Sequence, residues 1–494
     1  MAIKNIGLIG LAVMGQNLSL NIESKGYPLV VYNRTSSKTK DFINFRAKDK
    51  NIAAASSLEE FVASLEIPRI MILMVKAGKP VDETIEKLIP LLGKGDLIID
   101  GGNSYFKDTI RRGERLLGKG ILYMGTGISG GEEGALRGPA IMPGGPKEAY
   151  NLVKDIFSNI AAKAEDGIPC VSYIGPGGAG HFVKMVHNGI EYGDMQLIGE
   201  TVWILKETLG YDAGKIADII LSWNKPDDIL NSYLIEITGR IMREKDKESN
   251  MFLVDRTADI TGMKGTGTWT VKSALELLVP IPTIAAAVFS REMSQGKTLR
   301  LYMSDKIRLE RTCKLKVDTE NLIEIAHDAL YISKISSYAQ GFALLQEASK
   351  AYDFNLNLSK IARGWRAGCI IRAQFLDIIT KEYEKNKYLN NLTEAPIFKD
   401  FICKNLQKLA AFINIAHDVG VPALAMSSAY DYTTQMVSPV MVSARIAALQ
   451  RDYFGAHGYF KLEKNSPVVI KNDNGSYKEY HTEWMQEDHP EKEV

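Results

Sequence analysis

Lys184, His187, Asn188, Glu191 and Tyr192 recur at three, four, seven and eight residues from Lys184. That spacing puts all five on one face of a helix, while Phe182, Val183, Met185, Val186 and Ile190 supply an apolar remainder. Lysine, histidine and glutamate can each exchange a proton near neutral pH once their surroundings tune them, and asparagine and tyrosine can hold a polar ligand. A solvated helix face has the same stripe. A cleft in front of it decides for chemistry, so the elements around the stripe matter.

The chain opens with the apolar run Ile6 to Ile9, which enters Gly10-Leu11-Ala12-Val13-Met14-Gly15 and then the helical stretch Gln16 to Ser24. This is the outline of the dinucleotide fingerprint with Ala12 in the second glycine position. The turn at Gly10, Ala12, Met14 and Gly15 would bring backbone close to a pyrophosphate at a helix N-terminus. The alternative is a plain glycine-rich turn. The second strand ends at Tyr32-Asn33-Arg34-Thr35, where an enzyme using NAD would carry an acid for the ribose 2′-hydroxyl. Asn33, Arg34 and Thr35 suit a 2′-phosphate instead, which points to NADP; otherwise Arg34 is a solvated loop residue. Further loops follow strand ends at Val75-Lys76-Ala77-Gly78 and Asp100-Gly101-Gly102-Asn103-Ser104, and glycines recur from Ser129-Gly130-Gly131 to Gly144-Gly145. So many glycines imply close backbone approach to a ligand, or a series of turns.

Strand candidates at Ile6 to Ile9, Leu29 to Tyr32, Ile70 to Val75, Leu97 to Ile99 and Leu122 to Met124 alternate with helical stretches such as Leu58 to Leu65 and Val81 to Leu92. The alternation predicts a doubly wound parallel sheet, a Rossmann-type α/β domain, over 1–178. Past Gly175-Pro176-Gly177-Gly178 the pattern predicts a large all-α domain over 179–441, followed by a C-terminal tail over 442–494 with too little apolar content for a core of its own. Lys215-Ile216-Ala217 before Trp223 and Lys360-Ile361-Ala362 before Trp365 leave open a duplicated helical unit or a chance recurrence.

The length of 494 residues fits two to four domains, and 60 Lys+Arg against 59 Asp+Glu leaves a formal charge of +1, which favours neither a nucleic-acid nor a membrane partner. Cys170, Cys313, Cys369 and Cys403 form no CxxC pair, so they read as buried or inert thiols in a reducing compartment, with no metal cluster. The sequence has no apolar run of membrane-spanning length, and the first strand starts too early to leave room for a signal peptide, so a cytoplasmic location is expected.

Taken together, Gly10 to Gly15, Asn33-Arg34-Thr35, Ser129-Gly130-Gly131, Lys184 to Tyr192, Lys264-Gly265-Thr266-Gly267, Gly364 to Arg372 and Arg451-Asp452-Tyr453-Phe454-Gly455-Ala456-His457 resemble the decarboxylating 6-phosphogluconate dehydrogenases over nearly the whole chain. Thr268 and Ala140 depart from the family pattern, where lysine and serine are frequent. The resemblance implies oxidation of 6-phosphogluconate by NADP with loss of carbon dioxide to give ribulose 5-phosphate, as in the pentose phosphate pathway and gluconate utilization. It implies Lys184 and Glu191 as the catalytic base and acid, and Val75, Lys76, Ala77 and Asn103 beside the cofactor. Asn103, Ser129, Gly130, Gly131, His187 and Asn188 would hold the sugar hydroxyls and carboxylate; Tyr192, Lys264, Thr266 and Arg291 would surround the phosphate. Arg451 and His457 would reach that phosphate from the partner subunit of a homodimer, with Tyr453, Phe454 and Tyr459 anchoring the tail. Two other readings stay open: a related β-hydroxyacid dehydrogenase acting on an unphosphorylated substrate, and a nucleotide-binding protein without catalysis.

Overall fold

Four-residue runs of nearly unbroken apolar sequence form the centre of a sheet covered on both faces. In a computed structural model, which describes residues 5–309 and 317–494, β1 is Ile6–Ile9, β2 Leu29–Tyr32, β3 Ile52–Ala54, β4 Ile70–Leu73, β5 Leu97–Asp100, β6 Leu122–Ser129 and β7 Ala140–Gly144. Cys313 lies outside the described residues. The strand order is β3-β2-β1-β4-β5-β6-β7, with Leu8 of β1 opposite Val31 of β2 and Ile72 of β4. Alternate side chains enter two cores: Leu8, Val31, Ile72 and Ile99 on one face, Ile9, Val30, Met71 and Ile98 on the other. The order reverses at β1, so the ligand crevice of such a sheet falls outside the carboxyl ends of β1 and β4.

The sheet departs from the sequence reading in several places, and β4 stops at Leu73, short of the expected Val75. The short strand β3 at the edge gave no clear periodic signal. β6 continues through Gly125 and Gly127 to Ser129, beyond the expected end at Met124. β7 returns antiparallel to β6, so the expected all-parallel sheet carries an antiparallel edge.

The helix Ala179–Leu209 has 31 residues and pairs with the 33-residue helix Thr319–Ala351 in the helical part of the chain. Each is followed by a short helix that carries a Lys-Ile-Ala triplet and ends at a tryptophan: Ala213–Ser222 with Trp223, and Leu358–Gly364 with Trp365. One compact unit ends at Tyr430, and another runs Asp431–Val494. In the latter, the helix Val442–Gly455 is followed by an antiparallel sheet of β8 (Tyr459–Phe460), β9 (Glu479–Thr482) and β10 (Glu491–Glu493). Polar contacts organise it. The buried Asp452 carboxylate accepts from the N–H groups of Gly458 (3.0 Å) and Thr482 (3.1 Å) and from Trp484 Nε1 (2.8 Å), and His481 Nδ1 lies 2.8 Å away. Among the described residues, no helix is long and apolar enough to cross a membrane. Cys170 and Cys369 are buried, whereas Cys403 is exposed.

Candidate active site

The helix Ala179–Leu209 reaches the sheet through missing side chains. A Cβ on Gly127 would stand 2.4 Å from Lys184 Cβ, and one on Gly180 would stand 2.3 Å from Gly125 O and 2.4 Å from Met142 O. Glycines at these positions let the helix lie directly on β6 and β7, which carries Lys184 to the end of the strand that bears Ser129. Many of the glycines from 125 to 145 therefore serve approach of the chain to itself: Gly130 meets Gly368 O, and Gly138 meets Ala162. Gly130, Gly138 and Gly145 also have positive φ, as turns require, so close approach of the chain to itself joins the turn reading at these positions.

Four predicted residues converge. Lys184 Nζ donates to Ser129 Oγ at 3.1 Å and lies 3.5 Å from His187 Nδ1. Ser129 Oγ is 3.4 Å from His187 Nε2, and Glu191 Oε2 is 3.7 Å from His187 Nδ1. Trp365 holds the imidazole edge-on at 5.4 Å. Burial disfavours the ammonium of Lys184 and lowers its pKa, against the pull of Glu191. Burial also raises the Glu191 pKa, against Lys184 and Arg291 and with help from Asp194. His187 is pushed well below its ordinary value by burial and by Lys184, so it is neutral here. A lysine of lowered pKa next to a carboxyl of raised pKa is an acid/base pair whose members have been moved toward each other. Asn188 Oδ1 is buried with no hydrogen-bond partner, a free acceptor at the same site.

One turn on, the Arg291 guanidinium stacks 3.5 Å over the Tyr192 ring, and a Cβ on Gly267 would come within 2.6 Å of that ring. Thr266 is buried and Lys264 exposed at the start of the helix Thr266–Glu276, which has no side-chain cap on its N-terminal N–H groups. Of the two departures, Thr268 is exposed and Ala140 is buried in β7, its N–H bonded to Gly368 O at 2.8 Å. Arg451 and His457 are both exposed in the unit Asp431–Val494.

At the switch point, Gly10 has φ +105°, and a Cβ there would be 2.4 Å from Met74 O; one on Gly15 would be 1.9 Å from Gly10 O. Leu11 N–H donates to Asn33 Oδ1 at 3.0 Å, which joins the turn to the end of β2. Ala12 gives the helix Val13–Ser24 no side-chain cap, leaving its first N–H groups for an anion. Arg34 and Thr35 are exposed beside it, with Lys76 and Asn103 exposed on the loops after β4 and β5. A dinucleotide with a 2′-phosphate fits this cradle.

The stripe read from sequence stops at Tyr192, but the structure continues it to Asp194, whose buried carboxylate accepts from Lys334 Nζ at 2.7 Å and from Tyr338 OH at 3.2 Å. Asp194 could have been found three residues past Glu191. Lys334 could not, because only the packing of two long helices brings it there. Cys369, with its thiol pushed up to about 12 by burial, also belongs to the surroundings of Lys184.

A nucleotide cradle at the switch point and a buried acid/base pair on the following helix define a dinucleotide-dependent oxidoreductase. Residues 5–175 match the model of the NAD binding domain of 6-phosphogluconate dehydrogenase, and residues 180–484 match that of the 6-phosphogluconate dehydrogenase C-terminal domain. The chain belongs to the 6-phosphogluconate dehydrogenase family. It is 49% identical to the NADP(+)-dependent, decarboxylating 6-phosphogluconate dehydrogenase of Bacillus subtilis, over 98% of this chain and all of that protein. Its identity to the decarboxylating enzyme of Synechococcus elongatus is 50%, over 94% of this chain and 98% of that one. A solved structure of 6-phosphogluconate dehydrogenase from Plasmodium falciparum, studied as apo enzyme and with NADP+ or 6-phosphogluconate, superposes with a TM-score of 0.90 at 42% identity, covering 97% of this chain and 100% of that one.

Proposed function

We propose that the chain catalyses the NADP-dependent oxidative decarboxylation of 6-phosphogluconate to ribulose 5-phosphate and carbon dioxide. The observation that carries the reading is the Ser129–Lys184–His187–Glu191 cluster, buried but for the partly exposed Glu191, together with a cradle suited to a 2′-phosphorylated dinucleotide. Bound NADP supplies the acceptor for the C3 hydride; Gly10, Ala12, Met14, Gly15, Asn33, Arg34, Thr35, Val75, Lys76, Ala77 and Asn103 hold it. Neutral Lys184 takes the C3 hydroxyl proton as the alcohol becomes a ketone, giving a β-keto acid. The resulting ammonium then stabilises the enolate oxygen as C1 leaves as carbon dioxide. Protonated Glu191 delivers a proton to the former C2 of the enediol, which becomes C1 of ribulose 5-phosphate.

Asn103, Ser129, Gly130, Gly131, His187 and Asn188 orient the sugar acid, and Tyr192, Lys264, Thr266 and Arg291 take the phosphate. Arg451 and His457 complete that site from the other subunit of a homodimer. The functional division is 1–178, 179–441 and 442–494, and the enzyme acts in the cytoplasm as a step of the pentose phosphate pathway. A site for an unphosphorylated acid would have no use for Lys264, Arg291 and Arg451.

The test follows the nicotinamide absorbance band with 6-phosphogluconate and NADP or NAD, alongside carbon dioxide release. NADP reduction matched one for one by carbon dioxide is expected; reduction without carbon dioxide, or turnover of unphosphorylated gluconate alone, refutes the reading. Mixing Lys184→Met with Arg451→Ala protein tests the shared site: hybrid dimers regain activity, whereas proven subunit exchange without recovery overturns sharing.

A further inference from the structure

The two ligand loops of the nucleotide-binding half are tied together by one buried guanidinium. Arg112, on the helix Phe106–Leu117, has a side chain only 2% exposed. Its Nε and Nη2 donate to the two oxygens of Asp82, each at 2.9 Å, and Nη2 also donates to Gly78 O at 3.1 Å. On its other side Nη1 lies 3.5 Å from Asp100 Oδ2. Gly78 closes the loop that carries Val75, Lys76 and Ala77, and Asp82 sits in the first turn of the helix Lys79–Leu88 that follows it. Asp100 ends β5 and organises the loop that carries Asn103: it accepts from Gly102 N–H at 3.1 Å, Ser104 Oγ at 2.6 Å and Tyr123 OH at 3.0 Å. The loops also touch, since a Cβ on Gly102 would be 3.1 Å from Val75 O. A fully buried carboxylate needs a countercharge, and a planar fork can face two carboxylates and a carbonyl at once, which a lysine ammonium cannot.

We propose that Arg112 is a positioning residue that holds the cofactor loop Val75–Gly78 and the substrate loop Gly101–Ser104 in one register, so that C3 of the sugar meets the hydride acceptor at reacting distance. The proposal rests on the reading that Val75, Lys76 and Ala77 flank NADP and that Asn103 faces substrate. It assigns Arg112 no contact with either ligand.

The test uses full-length Arg112→Lys, with Asp82→Asn as a second variant should the first not fold. NADP affinity is measured by calorimetry without substrate, and turnover is measured with 6-phosphogluconate carrying hydrogen or deuterium at C3. Both variants should bind NADP about tenfold more weakly. The deuterium effect on kcat should rise as hydride transfer becomes slower than the steps around it. A folded variant with native NADP affinity and a native isotope effect overturns the proposal, even if its melting temperature falls, because a merely structural role predicts that pattern. Lys76→Ala and Asn103→Ala test the underlying reading separately. If they impair binding and Arg112→Lys does not, the reading stands and the proposal fails. If neither alters binding of NADP or 6-phosphogluconate, the loop assignment fails and the proposal falls with it.

Discussion

Gly127→Ala tests whether the site depends on how closely its helix lies on the sheet. A Cβ at Gly127 would be 2.4 Å from Lys184 Cβ, 2.9 Å from Lys184 Cγ and 3.3 Å from Gly180 O. Carbon atoms rest at about 3.5–4.0 Å, so the helix must retreat from β6 by about 1 Å or more. The obstructing atom is Lys184 Cβ, which moves only with its backbone, so a rotamer change cannot relieve it. Overpacking of this kind costs roughly 1–3 kcal/mol of stability. Displacement of a reacting group by about 1 Å costs on the order of 10²-fold in rate. Gly127→Ala protein should therefore fold with a lowered denaturation midpoint, bind NADP nearly as before and lose about two orders of magnitude in kcat. Gly113→Ala provides the comparison: its Cβ meets only Tyr123 Cδ1 at an ordinary 3.8 Å within the helix Phe106–Leu117. That variant should gain roughly 0.5–1 kcal/mol with unchanged turnover. Native kcat in Gly127→Ala, with its fold confirmed by circular dichroism, would refute the claim that helix-to-sheet contact places Lys184.

Arg34→Ala should weaken NADP by about 2–3 kcal/mol while leaving NAD almost unaffected, as measured by binding of each cofactor; equal losses would remove Arg34 from the 2′-phosphate. The log of kcat/KM against pH should be bell-shaped. Its acid limb reports protonation of Lys184, whose lowered pKa keeps the neutral base available below the range of a free lysine, and its alkaline limb reports ionisation of Glu191, whose pKa is raised. Glu191→Gln should cut turnover roughly 10²–10⁴-fold and abolish the alkaline limb, and a persisting limb would assign it to another group. Burial alone would raise the Asp452 pKa, but bonds from His481, Thr482 N–H and Trp484 hold it at about 2. Its stabilising contribution should therefore be complete above the ordinary carboxylate value of 3.8 and be lost as pH falls through about 2. Asp452→Asn should change Trp484 fluorescence at neutral pH as the native protein does only in acid; an unaltered spectrum would show that the charge does not order this unit.

The parts of the molecule legible in its sequence are those set by local period. Ile6–Ile9 and Leu29–Tyr32 are alternately buried on two faces, so the apolar runs mark strands directly. The stripe from Lys184 to Tyr192 marks one helix face whatever that face meets. Nothing in a single strand says whether its neighbour runs parallel, and the antiparallel return of β7 depends on the helix Gly131–Arg137 turning the chain back. Buried charge is hidden for a related reason. Lys334 is 140 positions from Asp194, and Arg112 is separated from Asp82 by 30. Each looks like an ordinary surface cation until packing removes the water around it.

The glycines show how the same residues support a local and a global reading. Counted along the chain, those from 125 to 145 suggest a ligand; in space, Gly127 and Gly144 are also where the helix Ala179–Leu209 touches the sheet, and Gly130 is where Gly368 approaches. The two readings meet at Lys184. Lys184 is only 5% exposed, and that desolvation is the largest cause of its lowered pKa. The absence of side chains on β6 thus helps lower the Lys184 pKa, on which the proposed proton transfer depends. Any substitution that lifts the helix and admits water should return Lys184 toward the ordinary lysine range and move the acid limb of the activity profile to higher pH.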